Sequence, residues 1–182
     1  MNPIEIETRD ELYLTPHEDA EIAVLLAAAF GQEGDDGFDG RSYYKQRHHL
    51  RVLGRIEGKL VGHIALCFRA IRIGDELVPI IGLAEVATLP DLGGQGIASR
   101  LLKQSIAVSR QTQARFMLLF GDHPVYAKHG FDSVTNTLRY TVIENGRSEE
   151  VVSAPTRYLR TLPLTDRPWD DLADVDLLGH LF

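Results

Sequence analysis

Three glycines within four positions, Gly93, Gly94 and Gly96, separate an apolar run, Val78 to Val86, from a stretch where Ile97, Leu101, Leu102 and Ile106 share one helical face. A strand, a glycine-rich turn and a helix start together make a place to hold phosphate. Glycine lets the backbone approach a ligand closely and take positive φ without penalty. The first-turn N–H groups of a helix have no internal partner and lie at the positive end of its dipole. The spacing therefore points to a pyrophosphate-bearing cofactor. A second candidate is Glu85, a carboxylate between Ala84 and Val86 in an otherwise apolar strand. Burial there would raise its pKa from about 4.3 toward the range of a general base. The other reading of Glu85 is a carboxylate facing solvent on an uncovered edge.

Several cofactors use such a turn. A Walker A loop needs Gly-Lys-Ser/Thr, and no lysine follows these glycines, which excludes nucleoside triphosphatase chemistry. A dinucleotide fingerprint wants glycine or alanine where Ser99 stands, and it wants an opening βαβ unit. Here the motif sits mid-chain after an antiparallel-looking strand series. An ordinary glycine-rich turn before a helix remains the bland reading.

The segment resembles the acyl-CoA pyrophosphate loop of the GCN5-related N-acetyltransferase (GNAT) superfamily, Gln/Arg-x-x-Gly-x-Gly/Ala, mapped onto Gly93, Gly94, Gln95, Gly96, Ile97 and Ala98. Gly93 departs from that pattern, leaving only backbone donors at the first position. Leu118 to Phe131 is similar to the superfamily's second landmark, a strand and short helix ending Tyr-x-x-x-Gly-Phe. The stretch Pro90 to Ser99 and the tail from Pro163 through Trp169 to Phe182 are also similar to the nodulation-factor N-acyltransferase branch.

The resemblance implies an α/β fold with a mixed, mainly antiparallel central sheet flanked by helices, and acetyl-CoA (or another acyl-CoA) as co-substrate. Val86, Ala87 and Thr88 would offer backbone groups to the pantetheine arm. Gly93, Gly94, Gln95, Gly96, Ile97, Ala98 and Ser99 would hold the pyrophosphate, Ser99 adding its hydroxyl and Gln95 reaching toward the adenosine. Tyr126 occupies the place of a tyrosine that protonates the departing thiolate, and Glu85 that of the base. Tyr43, Tyr44 and His48 would line the acceptor pocket. His123 and His129 bracket Tyr126; each is read first as a surface or capping residue and second as a base. The reaction is transfer of an acetyl (acyl) group to a primary amine of a small molecule or peptide by direct attack in a ternary complex. Freeing such an amine of its proton at neutral pH costs about 4.6 kcal/mol, hence the need for a base. The alternatives are a non-catalytic acyl-CoA-binding regulatory domain and a longer-chain N-acyltransferase acting on an amino sugar.

Composition narrows the partners. The 182 residues suit one domain, with residues 159–182 as a tail packed on it. A net charge of −7 argues against nucleic acid and anionic membranes. No apolar stretch is long enough for a membrane span, and Met1 to Thr15 carries charges where a signal peptide needs an apolar core. The single cysteine, Cys67, reads as a small core residue and fits a reducing cytoplasm. A homodimer is compatible with these features. Seven histidines invite a metal, but His48 and His49 would point to opposite faces of a strand and no His-x-x-x-His spacing occurs, so no metal is expected.

The positioning elements follow from pattern. Thr15, Pro16 and Glu18 form a capping box ahead of a helix carrying Ile22, Leu25, Leu26, Ala29 and Phe30, stopped at Gly31. Gln32 to Gly40 reads as an acidic mobile loop, whose charges Glu33 to Asp39 are read first as a solvated run and second as an attractor of a cationic amine, and Arg41 to Gln46 as a short second helix. Hairpins are expected around Glu57-Gly58-Lys59 and Asn145-Gly146, a helix from Gln95 to about Arg110, a short strand at Phe116 to Phe120, and Trp169 as a tail anchor.

Overall fold

Thr15 opens the first helix through reciprocal bonds. Its hydroxyl accepts the Glu18 N–H (3.2 Å), and the Glu18 carboxylate accepts the Thr15 N–H (2.9 Å), with Pro16 at the first helical position. In this computed structural model, which describes residues 3–31 and 37–182, that helix is α1 (Pro16–Phe30). Most of the expected acidic loop, with Glu33, Asp35 and Asp36, lies outside the described residues.

The chain forms two compact units, one of Met1–Cys67 with Ala84–Ala107, the other of Phe68–Leu83 with Val108–Phe182. Two long strands, β3 (Lys59–Ile73) and β4 (Glu76–Thr88), contribute residues to both.

In the first unit β1 (Glu5–Asp10) pairs antiparallel with β2 (Leu50–Ile56), and β2 with β3 across the Glu57-Gly58 turn. Helix α1 lays Ile22, Leu25 and Leu26 on Leu53, Leu60 and Ala87, with Phe38 closing the cluster. Leu53 and Gly54 are adjacent on β2, so they face opposite sides of the sheet. The Gly54 side receives α2 (Ile97–Ser109). Gly54 and Gly62 are cross-strand partners. A methyl group on Gly54 would lie 3.2 Å from Leu101 and 2.9 Å from Ile4; one on Gly62 would lie 2.7 Å from Ile97. The two missing side chains let the helix seat directly on the sheet.

The second unit adds β5 (Phe116–Phe120), β6 (Asp132–Ser133), β7 (Thr137–Glu144), β8 (Arg147–Pro155), β9 (Leu159–Pro163) and β10 (Val175–His180), in the strand order β6-β9-β5-β4-β3-β10-β7-β8, with β5 parallel to β4 and β10 parallel to β7. Antiparallel pairs join β8 to β7, β9 to both β5 and β6, and β10 to β3. A short helix, α3 (Pro124–Lys128), follows β5. Ile80, Phe116, Leu118, Leu138, Leu159, Val175 and Leu177 fill the core.

Two expectations need correction. Arg41 to Gln46 is not a helix, because its backbone is bonded elsewhere: the Ser42 carbonyl accepts from Arg51 (3.0 Å) and the Tyr44 N–H donates to Glu85 (2.8 Å). Residues 159–182 are more than a packed tail, since they supply β9 and β10; each shows too few alternating apolar positions to be read as a strand from sequence. Trp169 does anchor this segment, edge-on to Phe116 at 5.1 Å.

Asn136, nearly fully buried, ties that anchor down. Its amide donates to the carbonyls of Asp170 and Ala173 (2.8 Å each), and its oxygen accepts the Trp169 indole N–H (2.9 Å). Asn136→Leu strands all three partners and is expected to cost about 2–4 kcal/mol in urea unfolding. Emission from Trp169, the single tryptophan, should shift to the red in the folded variant.

Candidate active site

The glycine turn is an open cradle. After β4 the chain makes a 3₁₀ turn at Pro90–Leu92, then takes φ of +75° at Gly94 and +77° at Gly96. A methyl group on either would meet nothing within 4 Å, so the space above them is free for a ligand. The Gly96 carbonyl accepts the Arg100 N–H (3.1 Å), which starts the helical bonding of α2. The amides of its first turn, at Ile97 and Ala98, therefore have no acceptor within the helix. Gly93 differs: its N–H is committed to the Pro90 carbonyl (3.0 Å).

Glu85 sits in the left-handed region, at φ +53°, inside β4. The parallel ladder of β4 on β5 has its last pair at Leu83 and Leu119, two residues earlier. For a non-glycine residue this conformation costs about 1–3 kcal/mol and persists only where the surroundings over-determine it. Here they do. One carboxylate oxygen of Glu85 accepts from the Tyr44 N–H (2.8 Å) and pairs with His48 Nε2 (2.9 Å); the other accepts from Arg51 (3.0 Å). The side chain is only 4% exposed, which rules out a solvent-facing carboxylate on an open edge.

Arg51 is fully buried and held on its far side by Glu11, at 2.6 and 3.1 Å. It also donates to the Ser42 carbonyl and lies 3.2 Å from His63 Nε2. Arg47 pairs with both Glu11 and Asp19, extending the network outward. A guanidinium only donates, so His63 Nε2 must accept, and the ring proton is on Nδ1. That proton points at the backbone carbonyl of Glu85, 3.0 Å away.

The titration directions follow from these contacts. Burial pushes the Glu85 carboxyl up, but the His48 hydrogen bond and the charges of His48 and Arg51 outweigh it, and its pKa is lowered. The expected rise is thus reversed, because burial here comes with three donors. His48 is opposed by burial, yet its hydrogen bonds with the Cys67 thiol and Glu85 and the Glu85 charge raise its pKa above the usual value. Complete burial, with Arg51 alongside, pulls His63 down to about 3.

In the second unit Tyr126 lies on α3, its ring 3.0 Å from where a methyl on Gly121 would be and edge-on to Phe131 at 6.3 Å. Burial raises its pKa, helped by Asp122 and opposed by Arg160, so the phenol keeps its proton. His123 caps α3, accepting the Val125 N–H on its side chain (3.1 Å), and His129 stands at the helix's other end. His48 and His49 precede β2 rather than lie within it. Among the described residues no group of three or more His, Cys, Asp or Glu side chains could hold a metal. Of the expected acceptor residues, His48 and the Tyr44 backbone meet at Glu85, whereas the Tyr43 ring is covered by the guanidinium groups of Arg41 and Arg47. Glu11, Arg51 and His63 were missed from sequence; the available signal was a charged or polar residue inside apolar strands at Arg51 and His63, the same signal that singles out Glu85.

A family model described as an acetyltransferase (GNAT) domain matches residues 13–134. The uncharacterized N-acetyltransferase YjhQ of Escherichia coli is 36% identical over 136 residues, 74% of this chain and 75% of that protein. The chain belongs to the GNAT acetyltransferases. Membership makes it an acyl-CoA-dependent acetyltransferase with the mixed-sheet fold of that family. Solved GNAT structures share the fold. A Brucella melitensis acetyltransferase in complex with acetyl-CoA has a TM-score of 0.62 at 24% identity, covering 94% of each chain. Escherichia coli YhbS in complex with CoA has a TM-score of 0.65 at 18% identity, covering 97% of this chain and 92% of that one.

The neutral state of His63 carries a stability signature. Its folded pKa lies below its unfolded value, so the unfolded chain binds the extra proton as pH falls and the folded state loses stability below about pH 6.5. Glu85 and Glu11, with lowered values, add loss of the same sign only as pH falls to about 4.5 and below. His48, with a raised value, contributes stability that is lost as pH rises above 6.5. Between about pH 6 and 5, urea unfolding free energy should therefore fall more steeply in the wild type than in His63→Asn, by up to about 1.4 kcal/mol per pH unit.

Proposed function

We propose that this GNAT enzyme transfers an acetyl group from acetyl-CoA to a primary amine of a small molecule or peptide by direct attack in a ternary complex. The open cradle at Gly94 and Gly96 carries this reading, and the acetyl-CoA and CoA held by its structural relatives support it. The amides of Gly94 to Ala98, with the Ser99 hydroxyl and the Gln95 side chain, hold the donor's pyrophosphate and adenosine end, and Val86 to Thr88 present strand backbone to the pantetheine arm. Gly93 shapes the turn, its own N–H being taken.

The neutral amine attacks the thioester carbonyl, a C–N bond forms, and the C–S bond breaks. Tyr126, kept protonated by burial, gives its proton to the departing thiolate. The amine's proton passes through water to the His48–Glu85 pair. Within that pair the ionised Glu85 raises the His48 pKa above its usual value. The loop and tail resemblance to nodulation-factor N-acyltransferases makes acyl length the variable to scan, and binding without turnover would indicate a regulatory domain.

Calorimetry with CoA and thiol release from acetyl-CoA across aminoglycosides, polyamines, amino sugars and peptides test the reading. Gly96→Ala has room for its Cβ but is strained at φ +77°, so it should lose about 1–2 kcal/mol in urea unfolding and weaken CoA binding by about two decades as the turn that presents these amides is disturbed. Equal affinity in wild type and variant would overturn the cradle. Tyr126→Phe should lower kcat by about one to two decades with acyl-CoA affinity held within about threefold. In the companion Glu85→Gln, loss of the charge that raises His48 should move the acidic limb of the rate profile to lower pH.

A further inference from the structure

The carbonyl of Glu85 is held by a side chain from a neighbouring strand. His63 Nδ1–H donates to it at 3.0 Å, and His63 is itself fixed through Nε2 by Arg51 at 3.2 Å, the same guanidinium that binds the Glu85 carboxylate. The imidazole is fully buried and stays neutral, so tautomer and orientation are both set. The left-handed turn at Glu85 is thus gripped at two points, its carbonyl by His63 and its carboxylate by Arg51, His48 and the Tyr44 N–H. Immediately beyond that turn come Val86, Ala87 and Thr88. A rotated peptide at residue 85 decides which way their N–H and C=O groups point.

We propose that His63 is a positioning residue for acetyl transfer: by holding the Glu85 carbonyl it fixes the turn in β4 and so aims the Val86–Thr88 backbone at the acyl-CoA arm. This rests on the transferase reading above. His63 touches neither substrate nor reacting atoms; it acts through the strand. Arg51 cannot replace it, since the guanidinium reaches the Glu85 side chain and not its carbonyl. The pyrophosphate cradle lies further along, at Gly94 to Ala98, and is untouched by His63. A displacement of the 86–88 backbone should therefore damage the alignment of the thioester far more than the grip on CoA, because reaction rate is sensitive to misplacement on the ångström scale.

The test compares His63→Phe, which keeps the ring and deletes both nitrogens, with His63→Asn, whose amide N–H falls where Nδ1–H stands. In His63→Phe, kcat for acetyl transfer should drop by about ten- to a hundredfold while CoA affinity by calorimetry stays within about threefold. His63→Asn should recover most of the lost rate. The amide resonances of Val86, Ala87 and Thr88 should move in the Phe variant and return in the Asn variant. Unchanged kcat and unmoved amides in a folded Phe variant would overturn the proposal, as would equal loss in both variants, which marks packing alone. Should the Phe variant not fold, His63→Gln takes its place: its N–H falls near Nε2 instead, so it should stay impaired where Asn recovers, and equal rates would overturn the proposal. If wild type neither bound CoA nor released thiol, the transferase reading would fail and take the catalytic role of His63 with it. The amide resonances would then separately decide whether His63 sets the turn.

Discussion

A buried guanidinium with no access to water dominates the first unit. Arg51 must be balanced where it lies, and removal of one partner from such a buried pair typically costs about 3–5 kcal/mol. Glu11 and Glu85 supply the balance from two sides, and the Ser42 carbonyl and His63 share the Nη1 hydrogens with Glu85. The consequences spread outward. Glu85 has to remain ionised, His63 has to remain neutral, and the segment before β2 has to place its Ser42 carbonyl and Tyr44 N–H inward, which leaves no backbone groups for a helix there.

This arrangement changes what the acidic residue in β4 can be. A carboxylate buried alone would be a stronger base than one in water; a carboxylate buried among three donors is a weaker one. What it contributes in this setting is charge and place. It raises the imidazole beside it and holds a strand in a conformation that strands avoid. Tyr126 shows the opposite outcome: burial, opposed by Arg160 and helped by Asp122, raises the phenol's pKa.

Much of this was legible in the amino-acid order. The capping box at Thr15, the hairpin turns, the strand Phe116–Phe120 and the glycine cradle are local features, written within a few residues of one another. Strand β10 and the non-helical stretch around Tyr44 depend instead on partners far along the chain, such as Leu138 for Val175 and Glu85 for the Tyr44 N–H. Glu85 itself was recognisable as an acid out of place. The direction of its titration was not, because that sign is decided by Arg51 and His48, 34 and 37 positions away. Residue types inside apolar strands can flag a network, but only the fold says which of them meet.

The paired glycines Gly54 and Gly62 give the cradle a vulnerability remote from its own sequence. Helix α2 rests against the sheet at the depth their bare α-carbons allow, through Ile97 and Leu101, and Ile97 follows directly on the Gly94–Gly96 turn. A methyl group at Gly62 would press on Ile97 and Leu101, and one at Gly54 on Ile4 first and Leu101 second, so these side chains would have to shift. Disturbance of the glycine turn can thus originate on β2 or β3, and would pass for a packing defect in any survey confined to the loop itself.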